Sequence, residues 1–438
     1  MTIREQVSNA KKASAELAVL STEVKDKALE AMAAALDADR KAILDANADD
    51  LRNADALLKE GKITQVLIDR LKVTDVKING MIAGIRDVVK LKDPVGRTLA
   101  SMDLDDDLEL YQISCPIGVL GVIFESRPDV VPQIMSLCLK SGNAVIFKGG
   151  REAAASNRSL FSILREAAVS AGVPKDVFVL MESRDDVNAI LEMDEYIDLL
   201  IPRGSNEFVR FIQDNTRIPV LGHAAGICHV YVDKSADMKK ALDVVLDSKI
   251  QYPAVCNAVE TLIVHSEISE RFLPKMSELF VKNGVEIRAD ERSAKIIGRD
   301  AKKAKAEDWD EEYNDLIISI KTVDSVSEAV AFINEHGSGH TDTIISEDRD
   351  AALKFVSMVD SAGVFVNAST RFDDGYRFGK GAEVGISTNK IHARGPVGME
   401  GLMIYKYILI GNGHVVKDYA GSDPKGYKHK VTKKNFKM

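Results

Sequence analysis

Twice along the chain, short runs of branched apolar residues alternate with longer runs of helical periodicity. This alternation constrains the fold more than any other feature. From Val119 the first series reads VLGVIFE as a strand and 130–140 as a helix ended by Ser141 and Gly142. AVIFK follows as a strand, then a helix over 152–171 stopped by Gly172 and Pro174. VFVLM, a short helix, IDLLI, a helix from Ser205 and ICHVYV complete it. The second series begins near Ala236. It runs helix, a loop bearing Cys256, ETLIVH, helix, VEIRA, a charged stretch, DLIISIK, helix, DTIIS, helix and GVFVN. Such alternation implies two doubly wound α/β domains, each built on a parallel sheet. Sheets of this kind take ligands outside the carboxyl ends of their strands.

Residues 1 to about 100 read as helices, with Leu17, Leu20, Val24, Leu29, Met32 and Leu36 near helical spacing and Ser21 and Thr22 as N-caps. ELYQISCPIG alternates like an edge strand, and the late run LMIYKYILIG reads as one more strand. An isolated strand must pair, so its expected partner is the strand near Leu110, in this chain or in a neighbouring subunit. Net charge is −9, but residues 421–438 hold six lysines and one aspartate, leaving −14 on the remainder. An acidic body argues against nucleic acid as the main partner, and the lysine tail reads as a solvated or disordered end. No apolar run approaches the roughly 18 residues of a membrane span. The amino-terminal segment has no apolar h-region, and four widely spaced cysteines form no zinc pattern. The expectation is a cytoplasmic protein with reduced thiols.

Several residues stand where chemistry is expected. Cys256, in QYPAVCNAVETLIVH, lies on a loop before a strand; it is either a nucleophile or a buried packing thiol. Cys115, Cys138 and Cys228 read as packing residues. Arg127, in IFESRPD, follows a strand end with Ser126 and suits a bidentate clamp on phosphate or carboxylate, or a surface salt bridge. Lys148, followed by Gly149 and Gly150, suits a ribose or phosphate, or marks an ordinary strand-to-helix turn. His223, in VLGHAAG, is catalytic or hydrogen-bonds backbone. His336 and His340 are four apart, but Gly337 and Gly339 break the helix that a shared metal would need; no metal site is expected. There is no G-x-G-x-x-G after a strand, no Walker A, no H-E-x-x-H and no G-x-S-x-G. Pattern alone therefore stops at a two-lobed α/β enzyme with a candidate thiol.

SCPIGVLGVIFESRPDV, SGNAVIFKGG, IPRGSNEFVRFI, LGHAAGICHVYVD, YPAVCNAVETLIVH and HGSGHTDTIIS together resemble the γ-glutamyl phosphate reductase (glutamate-5-semialdehyde dehydrogenase) family of the aldehyde dehydrogenase superfamily. The likeness runs in order over nearly the whole chain. It implies an aldehyde dehydrogenase-like α/β fold: a NADP-binding domain (1–103 and 119–234), a catalytic domain (235–367) and a small β oligomerisation flap (104–118 and 396–420). A return segment (368–395) and the basic tail (421–438) complete the division. The implied reaction is NADPH-dependent reduction of γ-glutamyl phosphate to glutamate 5-semialdehyde with release of phosphate, the second step of proline synthesis. Cys256 matches the family nucleophile. Lys148, with Gly149 and Ser126 beside it, matches the adenosine-ribose contact. Gly204 and Ser205 match the helix start near the cofactor phosphates, and Glu312 the nicotinamide-ribose contact. Arg127, Asn257 and His223 are the implied substrate contacts, and Arg151 a partner for the 2′-phosphate. A homodimer or homotetramer and functional coupling to a glutamate 5-kinase are also implied.

Two departures from ordinary aldehyde dehydrogenases bear on the reaction. Arg127 stands where those enzymes carry an asparagine oxyanion donor. VLGHAAG has no carboxylate where they carry a general-base glutamate, and a reductase of acyl phosphates needs no activated water. Ala225 stands where the nearest relatives are expected to carry Asp, which leaves this turn's role in binding the substrate amine open. The competing readings are a CoA-acylating or hydrolytic semialdehyde dehydrogenase of the same superfamily, a zinc-dependent relative of histidinol dehydrogenase, and a catalytically silent scaffold with this fold.

Overall fold

The computed structural model describes every residue except 1, 62, 64, 183–185, 224 and 438. Two compact units emerge, Met1–Gly204 with Phe211–Leu221 and Gly398–Met438, and Ser205–Arg210 with Gly222–Val397. Among the described residues no helix is long and apolar enough to cross a membrane.

The first unit opens with helices Ile3–Leu17, Thr22–Ala38, Arg40–Lys59, Gln65–Leu71 and Asp75–Lys90. Of the two candidate caps, Ser21 does the work: its Oγ accepts from the Val24 N–H. The apolar stripe Leu17, Leu29, Met32 and Leu36 is buried. The unit's parallel sheet runs in the order Phe178–Met181, Ala144–Gly149, Val119–Phe124, Leu199–Arg203. Val119–Phe124 is buried at every position, which explains its continuous apolar run: both faces are covered. Gly142 ends the helix Val130–Ser141 in the left-handed region (φ 76°), as the Ser-Gly stop requires.

A second, antiparallel sheet belongs to this unit. Thr98–Asp105 and Leu108–Pro116 form a hairpin, and Met403–Ile410 pairs with the second strand, placing Leu409 opposite Leu110. The late strand thus finds its partner within the chain. The basic tail departs from expectation. It is exposed, but Lys430–Thr432 adds a fourth strand against Thr98–Asp105, and the Phe436 ring packs edge-on to Tyr111 at 5.5 Å. Its lysines meet the acidic hairpin: Lys425 pairs with Asp105, Lys428 with Asp106, and Lys434 with Asp103 at 2.7 Å. Three of the six lysines thus answer the acids of the hairpin. Lys425, then the Tyr419 hydroxyl, hold the Asp105 carboxyl well below the usual carboxylate range. A depressed carboxyl contributes stability above its unfolded value of about 3.9 and loses it as pH falls through its own lower value. Hydrogen exchange of 425–434, corrected for intrinsic rates, should therefore stay protected to about pH 4 and lose protection toward pH 2. A tail that exchanges freely at neutral pH would contradict this pairing.

The second unit is built on a seven-stranded parallel sheet. Its order is Ala301–Lys303, Glu286–Ala289, Ile317–Val323, Val259–His265, Cys228–Val232, Thr341–Ile345, Gly363–Val366. Cys228–Val232, which the sequence pattern ends the first series with, pairs here with Val259–His265 and Thr341–Ile345. The charged stretch holds the helix Glu291–Ile297 and the short strand Ala301–Lys303. Core residues Val230, Leu262, Phe272, Met276, Ile287 and Ile320 pack between the sheet and the helices Met238–Ile250 and Ser266–Lys282.

Candidate active site

Cys256 sits on the loop 251–258, between the helix Met238–Ile250 and the strand Val259–His265. It is half-buried. The other three thiols are pushed up by burial, Cys138 and Cys228 most strongly because both are wholly enclosed. The loop is held from several sides. Gly226 packs so close that a Cβ there would lie 2.3 Å from the Cys256 carbonyl oxygen and 2.5 Å from its Cα. The Cys228 thiol donates to that same carbonyl at 3.2 Å. The Asn257 Nδ2 donates to the Asp373 carbonyl at 2.8 Å.

Behind the loop, Lys249 and Glu260 form an ion pair at 2.6 Å, at 0% and 1% exposure. Lys249 also donates to the Val259 carbonyl at 3.0 Å. Burial drives the Glu260 carboxyl up to about 7 and the Lys249 ammonium down, each opposed by its partner's charge. The pair therefore ties the helix before the Cys256 loop to the strand after it.

Arg371 brings positive charge to the loop. Its side chain is 7% exposed, its Nε donates to the Gln251 Oε1 at 2.9 Å, and its charge interacts favourably with Cys256. A cation at this loop suits an anionic substrate group. Two histidines complete the cluster. The His223 and His340 rings meet edge to face at 5.0 Å. His223 Nδ1 lies 2.8 Å from the Ile386 carbonyl oxygen. His340 is wholly buried; its Nδ1 lies 2.7 Å from Thr341 Oγ1, which donates to Asp373 Oδ2 at 2.5 Å. Burial pushes the Asp373 carboxyl up to about 6, although the Thr341 hydroxyl pulls it down.

Gly226, Cys256 and His340 all stand just before strands, so this cluster forms at the amino ends of three central parallel strands. In the first unit the candidate residues stand instead at the carboxyl ends of strands. There Ser126 and Arg127 follow Val119–Phe124, and Lys148 and Gly149 end Ala144–Gly149. Ser126 adopts a left-handed φ of 47° and donates through both N and Oγ to Glu152, at 2.7 and 2.8 Å. Lys148 Nζ donates to the Gly149 carbonyl at 2.6 Å. Beside them a shallow cleft is lined by Gly149, Gly150, Arg151, Asn157, Met181 and Glu182. Asn157 Oδ1 is buried there without a hydrogen-bond partner, and Asn157 already crowds Gly149, where a Cβ would lie 2.2 Å from its Nδ2. Gly204 and Ser205 follow Leu199–Arg203; Ser205 Oγ accepts from the Phe208 N–H at 3.4 Å at the start of the helix Asn206–Asp214. Glu312 accepts at 2.9 Å from the Nδ2 of Asn206, the residue after Ser205.

His336 turns instead to Asp310 at 2.8 Å, away from any shared site with His340. Ala224 of the VLGHAAG turn lies outside the described residues. Arg371, Asp373, Thr341 and the pairing of His223 with His340 escaped sequence reasoning. The dense run RFDDG was the local signal for Arg371 and Asp373.

Residues 2–316 match the aldehyde dehydrogenase family. The γ-glutamyl phosphate reductase of Methanosarcina acetivorans is 64% identical over 433 residues, covering 98% of this chain and 97% of that protein. The crystal structure of γ-glutamyl phosphate reductase from Thermotoga maritima is similar at a TM-score of 0.91 and 42% identity, over 94% of this chain and 99% of that one. The corresponding structure from Saccharomyces cerevisiae gives a TM-score of 0.53 at 37% identity, over 96% and 100%.

Proposed function

The chain belongs to the aldehyde dehydrogenase family and, within it, to the γ-glutamyl phosphate reductases, and from that premise we propose that it reduces γ-glutamyl phosphate to glutamate 5-semialdehyde with NADPH through a thioester on Cys256. The observation that carries this reading is the half-buried Cys256 thiol on a loop whose first residue, Gln251, holds the Arg371 guanidinium at 2.9 Å. The sulfur attacks the acyl carbonyl, the C–S bond forms, and the C–O bond to phosphate breaks with its electrons on the leaving oxygen. NADPH, when bound, supplies the hydride that the thioester carbon accepts. The tetrahedral oxyanion then needs fixed donors, for which the Cys256 backbone N–H is our candidate; Arg127 is the cation we assign to the substrate's anionic groups. Collapse expels the aldehyde and restores the thiolate.

The cleft beside Lys148 fits part of a dinucleotide. Gly149 and Gly150 allow close backbone approach, Asn157 Oδ1 lacks a partner, and Arg151 offers a cation for a 2′-phosphate. Gly204, Ser205 and Glu312 are the further cofactor contacts we assign, and His223 and Asn257 the further substrate contacts. Exposed Tyr405, Tyr407 and Leu409 on the edge strand Met403–Ile410 support a homo-oligomer assembled through this sheet.

The VLGHAAG segment brings no carboxylate to the thiol, and Asp373 Oδ2 is already engaged by Thr341. Both features disfavour hydrolysis of the thioester. Purified protein given glutamate 5-semialdehyde and NADP⁺ should form NADPH only when inorganic phosphate is added. Turnover that needs coenzyme A, or that proceeds with water alone, would replace this reading with one of the other semialdehyde dehydrogenases.

A further inference from the structure

We propose that Cys256, His223 and His340 form a site for a thiophilic divalent cation, Zn²⁺ above all, whose binding reversibly blocks the thiol. Among the described residues these three are the group so placed: Cys256 Sγ and one nitrogen of each imidazole lie within 4.8 Å of one another.

The hydrogen bonds fix which nitrogens carry lone pairs. A carbonyl oxygen only accepts, so His223 Nδ1, 2.8 Å from the Ile386 oxygen, carries its proton and Nε2 the lone pair. Thr341 has one hydroxyl proton and gives it to Asp373, so its oxygen accepts from His340 Nδ1. His340 is thereby the same tautomer, and its Nε2 is buried with no hydrogen-bond partner. Each imidazole thus has its Nδ1–H held by an outer acceptor, as metal-ligating histidines do, and among the described residues His340 Nε2 has no hydrogen-bond partner. The His340–Thr341–Asp373 chain even ends on a carboxylate. Buried polar atoms are otherwise paired, and a bound cation gives His340 Nε2 the partner it lacks.

Two nitrogens and a sulfur select Zn²⁺ over the oxygen-seeking Mg²⁺ and Ca²⁺. Bonds of about 2.0–2.3 Å in a tetrahedron set the donor atoms about 3.5 Å apart. The three groups must therefore draw in on binding, which points to micromolar rather than structural affinity. Coordination uses the thiolate, so a protonated thiol releases its proton to water, and the fourth position is left to water. The sulfur's lone pair is then engaged by the metal.

The test reads the thiol itself and stands whatever reaction the protein catalyses. Chelator-stripped full-length protein is titrated with ZnCl₂, and alkylation of Cys256 by iodoacetamide is followed by mass spectrometry. Alkylation should slow at least ~10-fold as one Zn²⁺ binds per chain, recover with EDTA, and ignore Mg²⁺. His340→Gln and His223→Gln should each raise the Zn²⁺ concentration for half-protection at least ~10-fold. His340 is buried, so its variant is judged only if Cys138 and Cys228 stay unalkylated; half-exposed His223 decides otherwise. Protection that survives the His223 substitution unchanged, or no stoichiometric binding, would overturn the site.

Discussion

Cys256→Ser should lower the reductase rate about 10⁴-fold or more, in both directions, while leaving the fold intact. The serine hydroxyl matches the thiol in size but is a far weaker nucleophile at neutral pH, and no carboxylate in the VLGHAAG turn stands by to activate it. A 10⁴-fold loss corresponds to about 5.5 kcal/mol of transition-state stabilisation, in the range seen when a covalent nucleophile is removed. Cys256 is half-buried on a loop, with its carbonyl rather than its sulfur receiving the Cys228 thiol. The variant's stability should accordingly change by no more than about 1 kcal/mol. Phosphate-dependent NADPH formation and thermal unfolding, measured on the same preparation, check both halves. Residual turnover above a tenth of wild type would remove the thioester from the mechanism. A wild type with no turnover to lose would favour the scaffold reading.

The largest effect on stability should come from Lys249→Met. The substitution keeps the apolar stem but strands Glu260 at 1% exposure without its cation. Removing one partner of a buried ion pair costs about 3–5 kcal/mol, which lowers the melting temperature of a unit this size on the order of 10 °C. The sign of the pH dependence follows from Glu260. Burial already raises its carboxyl to about 7 beside Lys249, and losing the cation raises it further. The stranded group is therefore neutral below its raised value and charged above it, so the penalty should be smaller at pH 5 than at pH 8. The double variant Lys249→Met, Glu260→Leu should recover most of the loss, because two apolar groups leave no charge to desolvate. Calorimetry of the three proteins at both pH values measures this. A single variant as stable as wild type at pH 8 would mean that the pair does not brace the Cys256 loop.

Much of this molecule is legible along the chain because it is local. Apolar periodicity locates most of the strands, Ser21 and Gly142 mark helix ends by their own backbone chemistry, and the family likeness singles out Cys256 among four cysteines. Pairing is not local. The sheet that receives ICHVYV depends on Val259–His265 and Thr341–Ile345 lying on either side of it. A strand's own pattern records only that both its faces are covered. The lysine tail misled for the same reason: composition reports charge, while its partners Asp103, Asp105 and Asp106 lie more than 300 residues earlier in the chain. The sequence by itself thus determined most of the elements, the two parallel sheets and the candidate thiol. Only the tertiary structure decided which charges and rings surround that thiol. His223 and His340 come from separate loops and meet at the amino ends of parallel strands, because parallel pairing brings the starts of distant segments to one edge of the sheet, and Arg371 reaches the Cys256 loop through Gln251.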